Sequence, residues 1–358
     1  MPAAIHSCQK QGRTARALLL FALTLLLQAC GGGGGASTSS SPAAGSASSV
    51  ASSTSSSSTA SSSSSSTSAS SVSSSRTSLY VTEPVVANCD AGQLKDSERI
   101  AVLDKLNAIR ARHGMPAVTY DASDDSAAAQ AALYMVANAT ATTTPSVSGF
   151  CYTPDAARLA AVSNVMIVVP FSPGASTQDF SSPQMIVNSL INANPGVLGR
   201  RRWVLDPFLT KTTFGRVDGI SISNGNPFAA SVLKVAGNNA ADISQMTNDF
   251  VAYPYGIYPV SEFQTDWFLS FSAIASKTDA AANGAAQVSF ASATVTVNDG
   301  STALPVTGVA ADYSGAGLPN SLQWKVTGLQ TNVIYTVQIN NVIVNSVTRQ
   351  YTYTFTLQ

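Results

Sequence analysis

The run "GVLGRRRWVLDPF", Gly196 to Phe208, sets three consecutive arginines among apolar residues in a chain that is only 11% charged. A guanidinium stays protonated and presents five donors in a planar fork, so Arg200, Arg201 and Arg202 suit an anionic or carbonyl-rich ligand. On a strand, Arg200 and Arg202 would share one face while Arg201 and Trp203 share the other. A structural reading stands beside this one: guanidinium groups stacked on aromatic rings or hydrogen-bonded to backbone carbonyls. Tyr253 and Tyr255 in "YPYGIYP" are further candidates for a ligand site, in an extended run that either lines a groove through ring stacking or covers a sheet edge. Asp206-Pro207 reads as turn chemistry.

Catalysis finds less support. The chain has no G-x-S-x-G, H-E-x-x-H, phosphate-loop or C-x-x-C motif. Its 2 histidines are His6, in a segment expected to be removed, and His113, to which a core or helix-capping role is assigned. A Ser-His-Asp arrangement would have to use His113, and no flanking feature supports that. Asp121, Asp124, Asp125, Asp155 and Glu262 leave a carboxylate-only mechanism open, although acids at helix starts and turns are mostly solvated caps. From these motifs no cofactor or metal is expected.

These residues need elements to position them. Ile100, Leu103, Leu106, Ile109 and His113 recur at helical spacing behind Asp96 or Ser97 as N-cap, with Gly114 as C-cap and Pro116 as stop. A second helix follows Ser123, with Asp124 and Asp125 at its positive dipole end, and a third starts at Ser182. "NVMIVVPF" and "VDGISISN" have strand character. Beyond the Ala/Gly stretch "SKTDAAANGAAQ", short alternating runs separated by turn residues indicate a β-sandwich with Trp324 and Tyr335 in its core.

The N-terminus carries an address. Lys10, Arg13 and Arg16 precede "ALLLFALTLLL", too short for the ~20 residues of a membrane-spanning helix but suited to a signal peptide. The following "LQAC" resembles the bacterial lipobox, which implies cleavage, lipidation of Cys30 and attachment to the cell envelope. Gly31 after it resembles lipoproteins of the outer membrane. Acyl chains then make the membrane contact, at ~0.8 kcal/mol per buried methylene. The Gly/Ser-rich sequence after Cys30 buries too little to fold and reads as a flexible tether. Removing residues 1–29 leaves 16 basic against 19 acidic side chains, no footprint for nucleic acid. Cys89 and Cys151, the remaining pair in an oxidising compartment, are expected to be bridged, worth ~3–4 kcal/mol for a loop of about 60 residues.

The order "LNAIRARHGMPAVTYD", "GFCYTPDAARLAAVSNVMIV" and "GRRRWVLDPFLTKTTFGRV" resembles the CAP superfamily, the cysteine-rich secretory or SCP-like proteins. The resemblance spans roughly residues 95–275 and implies an α-β-α sandwich. It also implies a cleft in which two His and two Glu hold a divalent metal. Carried over by position, Arg200 stands where one histidine belongs, Ser163 (in Val162-Ser163-Asn164) where a glutamate belongs, and the loop before Cys151 has no histidine. The resemblance thereby makes Ser163 and Asn164 candidate ligand contacts beside Arg200 and Arg202.

The expected class is α+β, a CAP-like α-β-α sandwich followed by an all-β immunoglobulin- or fibronectin-like sandwich. The expected boundaries are a signal peptide over 1–29, a linker over 30–80, the CAP-like domain over 85–275 and the β-sandwich over 285–358. The expected function is non-catalytic binding of an envelope glycan, lipid or protein, or of an extracellular ligand, by a lipid-anchored protein lacking the metal tetrad. A metal-independent hydrolase of peptide or glycan, and a structural or adhesion surface protein, are the alternatives.

Overall fold

The computed structural model describes residues 78–170, 176–191, 199–237 and 242–358. The expectations for the signal peptide, for Cys30 and for almost the whole linker fall on residues 1–77, outside the described residues. Among the described residues no helix is long and apolar enough to cross a membrane.

A short hairpin-like pair, β1 (Tyr80–Thr82) and β2 (Gln93–Leu94), leads into α1 (Asp96–Arg112). Asp96 and Glu98 lie in its first turn and Arg110 and Arg112 in its last, both favourable to the helix dipole. The buried stripe is Val102, Leu106, Ile109 and Arg110, and Ile100, expected in it, is 58% exposed. Gly114 ends the helix at φ +66°, as its position predicts. After β3 (Thr119–Tyr120), Asp121 rather than Ser123 caps the next turn, accepting from the Ser123 amide. Helix α2 (Asp125–Ala137) follows, and its alanines are buried almost all round. Then come α3 (Pro154–Ala160), β4 (Ser163–Val168), α4 (Ser182–Leu190) and α5 (Gly199–Val204). Strands β5 (Lys211–Thr212), β6 (Phe214–Ile220) and β7 (Pro227–Lys234) complete the first half.

Strands β4, β7 and β6 form an antiparallel sheet, in that order. Its period-2 alternation sorts side chains into two cores. Val165, Val217, Ala230 and Val232 pack with α2 and α3. Met166, Phe214, Ala229 and Leu233 pack with α1 and α4. This is an α-β-α sandwich. Helix α2 lies so close to β6 that a Cβ on Gly215 would sit 2.3 Å from the Ala128 carbonyl carbon. Cys89 and Cys151 are bridged, 62 residues apart, with Cα atoms 5.2 Å apart.

The second half is a β-sandwich whose first strands lie earlier than expected. They are β8 (Phe250–Tyr253), β9 (Gly256–Tyr258), β10 (Leu269–Ala273), β11 (Val288–Ser289) and β12 (Thr294–Asn298). The series ends with β13 (Ala303–Leu304), β14 (Val306–Asp312), β15 (Ser321–Val326), β16 (Ile334–Val344) and β17 (Val347–Leu357). One sheet runs β14-β15-β10-β8 and the other β13-β12-β16-β17-β9, with β11 on β16. Trp324 and Tyr335 are buried in the core, as their alternation indicates.

The boundary expected between 275 and 285 therefore needs correction: β8, β9 and β10 belong to the sandwich sheets. The intervening Ala/Gly stretch is a crossover loop tied down by buried Asn283. Its Oδ1 accepts from Ala275 and Ser276, and its Nδ2 donates to three carbonyls, of Ser276, Asp279 and Ala280. The "YPYGIYP" run is where the chain leaves one sheet and enters the other, with β9 covering the β17 edge in parallel register.

Candidate functional site

The arginine triplet lies on a helix, not a strand. Arginine is a good helix former, and six residues carry too little periodicity to decide between the two in a sequence. The three side chains consequently diverge. Arg200 is exposed. Arg201 is buried at 1% exposure, donating from Nε to Leu190 O at 2.9 Å and from Nη1 to Phe268 O at 2.6 Å. Its guanidinium carbon sits 4.0 Å from the Tyr253 ring centroid. Burial pulls its pKa down to about 10, so it remains charged near neutral pH. Arg202, also buried, donates from Nη2 to Leu318 O at 2.7 Å and pairs through Nη1 with Asp312 at 3.2 Å. Two of the three arginines thus fasten α5 to the β-sandwich.

A fourth arginine, which the sequence reading passed over, fastens the segment after α5. Arg110 donates from Nη1 to Val204 O and Asp206 O, from Nη2 to Leu209 O and from Nε to Pro116 O. Its signal was present: Arg110 follows Leu106 by four residues and continues the apolar stripe of α1. A fifth, Arg216 on β6, is likewise buried and holds Asp218 through two hydrogen bonds, at 2.7 and 3.0 Å. Its alternation with Phe214 and Asp218 places all three on one sheet face.

The other expected ligand residues are mostly engaged within the fold. Ser163 is buried and its hydroxyl donates to Leu159 O at 2.7 Å. Asn164, also buried, donates to the Arg200 carbonyl at 2.9 Å, so the structure brings these two expected site residues together. Tyr253 is fully buried, and its hydroxyl donates to the Glu262 carbonyl. Arg202 and Tyr253 are therefore corrected from ligand contacts to internal supports, because neither reaches solvent. Tyr255 is half-buried against His113, Phe250 and Tyr353, at some distance in sequence and in fold from α5. His113 caps α1 and lies buried against Tyr258, with Nε2 and the phenol oxygen 3.3 Å apart. Burial pushes its pKa down to about 3.

Open surface of the right size lies elsewhere, at the start of α1. A groove of about 330 Å³ is walled by Ile100, Leu103, Tyr120 and Ala122, with Arg99, Asp96 and Asp125 at its rim. A second, of about 420 Å³, runs from Arg99 and Asp125 to the Cys89–Leu94 segment. Arg99 joins them: Nη1 meets Asp96 at 2.7 Å and Nε meets Asp125 at 3.3 Å. Tyr120 donates to Asp125 at 2.6 Å. Partial burial nevertheless raises the Asp125 pKa, outweighing the Tyr120 hydrogen bond and the Arg99 charge. Of the other four candidate carboxylates, Glu262 pairs with Lys105 and Arg112, Asp124 with Lys234 and Arg158, the exposed Asp155 with Arg158, and Asp121 accepts from Ser123. Among the described residues no three His, Cys, Asp or Glu side chains gather as a group that could hold a metal ion.

Residues 103–219, from within α1 to the end of β6, match the model of CAP, the cysteine-rich secretory protein family. The chain carries a CAP domain. No curated protein matches the chain. The matched residues include Ser163, Asn164 and all three arginines of α5, whereas Tyr253, Tyr255 and the β-sandwich strands lie beyond them. Arg99 and Ile100, on the rim and wall of the apolar groove, fall just ahead of the matched residues.

Proposed function

We propose that this chain is an envelope-attached binding protein in which a CAP domain serves as a scaffold without a metal centre. The observation that carries the reading is the identity and engagement of two residues. Arg200 and Ser163 stand where the family resemblance calls for imidazole and carboxylate. A protonated guanidinium has no lone pair to donate to a cation. The Ser163 hydroxyl is turned to a helix carbonyl. These residues do not fit a divalent metal. Attachment through Cys30 and the tether would hold the folded part at the envelope surface.

Binding then belongs to the groove of Ile100, Leu103 and Tyr120, whose apolar walls and Arg99–Asp125 rim suit a small amphipathic ligand, such as part of a glycan or lipid. One observation favours hydrolysis as the second reading. Asp125 combines a raised pKa with a place on both grooves, which a general acid would need.

One set of measurements separates the readings. Envelope glycan and lipid fractions are titrated against wild type, Ile100→Asp and Asp125→Asn, with and without chelator. The binding reading expects wild-type affinity insensitive to chelator, lost at least tenfold in Ile100→Asp, with no product formed. Turnover that survives chelation and disappears in Asp125→Asn would replace it with the hydrolase. Stoichiometric zinc in the purified chain would defeat both.

A further inference from the structure

Beneath α5, Arg201, Arg202, Ser270 and Ser272 line a small cavity closed by Leu205, Val251 and Leu318. The space open to the centre of a water-sized particle is about 10 Å³. That is room for one occupant the size of a water molecule or a monatomic ion, and too little for a larger polyatomic ligand. Both guanidinium groups line it with a donor to spare. Arg201 Nη2 and Arg202 Nε are buried and have no hydrogen-bond partner among the described residues. A buried N–H without a partner costs roughly 1–3 kcal/mol, more on a charged group, so two on residues that line one cavity need an explanation.

Charge narrows the choice. Arg202 has Asp312 as its counter-ion. Arg201 has none among the described residues: its partners there are two backbone carbonyls, the Ser270 hydroxyl at 3.3 Å and the Tyr253 ring. Glu262, on the same side of the molecule, is already shared by Lys105 and Arg112. A fully buried, uncompensated cation is expensive in a low-dielectric interior. Stereochemistry points the same way. Ser270 already accepts from Arg201, which leaves its own O–H to donate, and Ser272 can donate too. Up to four donors can converge on a space that one water, with two lone pairs, would satisfy only in part.

We propose that this cavity is a binding site for a single halide ion, chloride being the class member, held by Arg201, Arg202, Ser270 and Ser272. The ion would neutralise Arg201 and link α5 of the CAP domain to β10 and to the Leu318 segment of the sandwich. This inference does not depend on the ligand or activity proposed above.

The test uses the whole chain, with bromide and chloride as probes. Crystals soaked in sodium bromide should show an anomalous peak within hydrogen-bond distance of Arg201 Nη2 and Arg202 Nε. In solution, the thermal midpoint should rise with the logarithm of chloride or bromide concentration, at ionic strength held constant with gluconate. Sulfate, too large for the cavity, stabilises only by exclusion from the protein surface, so its effect should be the same in wild type and Ser272→Ala. Ser272→Ala, which removes one donor and keeps the fold, should flatten the halide dependence. Water refined at the site with no bromide signal overturns the proposal. A bromide signal without any halide dependence in solution marks an adventitious ion only and overturns it as well. So does a slope equal in wild type and Ser272→Ala.

Discussion

At the scale of single residues, this fold is built on buried cations that mostly bond to backbone carbonyls rather than to acids. Arg110 and Arg201 each take carbonyls from segments distant in sequence. His113 adds a buried neutral ring whose cost is visible in pH. Burial lowers its pKa from 6.5 to about 3, so between those values the unfolded chain holds a proton that the folded chain lacks. Stability on this account is complete above pH 6.5 and is lost as pH falls through the window. Asp206 acts in the opposite sense. Burial raises it from 3.8 to about 6, so the folded chain holds the extra proton and gains stability as pH falls from 6 towards 3.8. The two nearly cancel over part of the acid range, and only a variant separates them. His113→Phe should gain about 2 kcal/mol relative to wild type between about pH 7 and about pH 5. Urea unfolding of both proteins at each pH measures this, and a pH-independent difference would mean that the folded imidazole is protonated.

At the scale of elements, most of the fold could be read from the chain. Helices α1 and α2 showed their extent, and α1 its stop at Gly114, but not their N-caps, which are Lys95 and Asp124; the C-terminal strands showed alternation bounded by turns. What misled was length. A six-residue run such as Gly199–Val204 fits either period, so the arginines were placed on a strand and their faces misassigned. The Ala/Gly stretch over 276–287 has linker composition, yet one buried amide, Asn283, turns it into a crossover loop. The docking of α5 depends on a similar local detail, in the loop after β14. Gly315 and Gly317 both have positive φ, at +79° and +59°. A Cβ on Gly315 would meet nothing within 4 Å, whereas one on Gly317 would lie 2.2 Å from the Arg202 carbonyl oxygen. Gly315→Ala should therefore cost only the backbone strain of a left-handed alanine, about 1 kcal/mol. Gly317→Ala carries the same strain plus a displacement of α5, and should cost roughly 3 kcal/mol or more. Chemical denaturation of the pair isolates the contact, and equal losses would show that α5 does not bear on this loop.

At the scale of the molecule, the CAP domain and the sandwich share one core. A single apolar cluster runs from Val102, Leu106 and Ile109 of α1 through Tyr253, Tyr258 and Phe271 to Trp324 and Phe355. Polar ties cross the same boundary: Glu262 holds Lys105 and Arg112 of α1, and Asp312 holds Arg202 of α5. Composition alone suggested two bodies joined by a linker. Contiguous burial, which composition does not encode, joins them. Cutting the chain at residue 275 would strand β8 and β10 without β15, and β9 without β17. It would also leave the buried Arg202 without Asp312 and Leu318 O, a loss of several kcal/mol against a total stability of about 5–15 kcal/mol. The fragment 78–275 should accordingly be unfolded or aggregated. The intact chain 78–358 should unfold in one transition, with tryptophan fluorescence and far-UV circular dichroism coincident. Trp203 reports on the CAP side and Trp324 on the sandwich, so single-tryptophan versions place a probe in each half. Two separated midpoints would refute the shared core, and a soluble fragment with native helical signal would refute it independently.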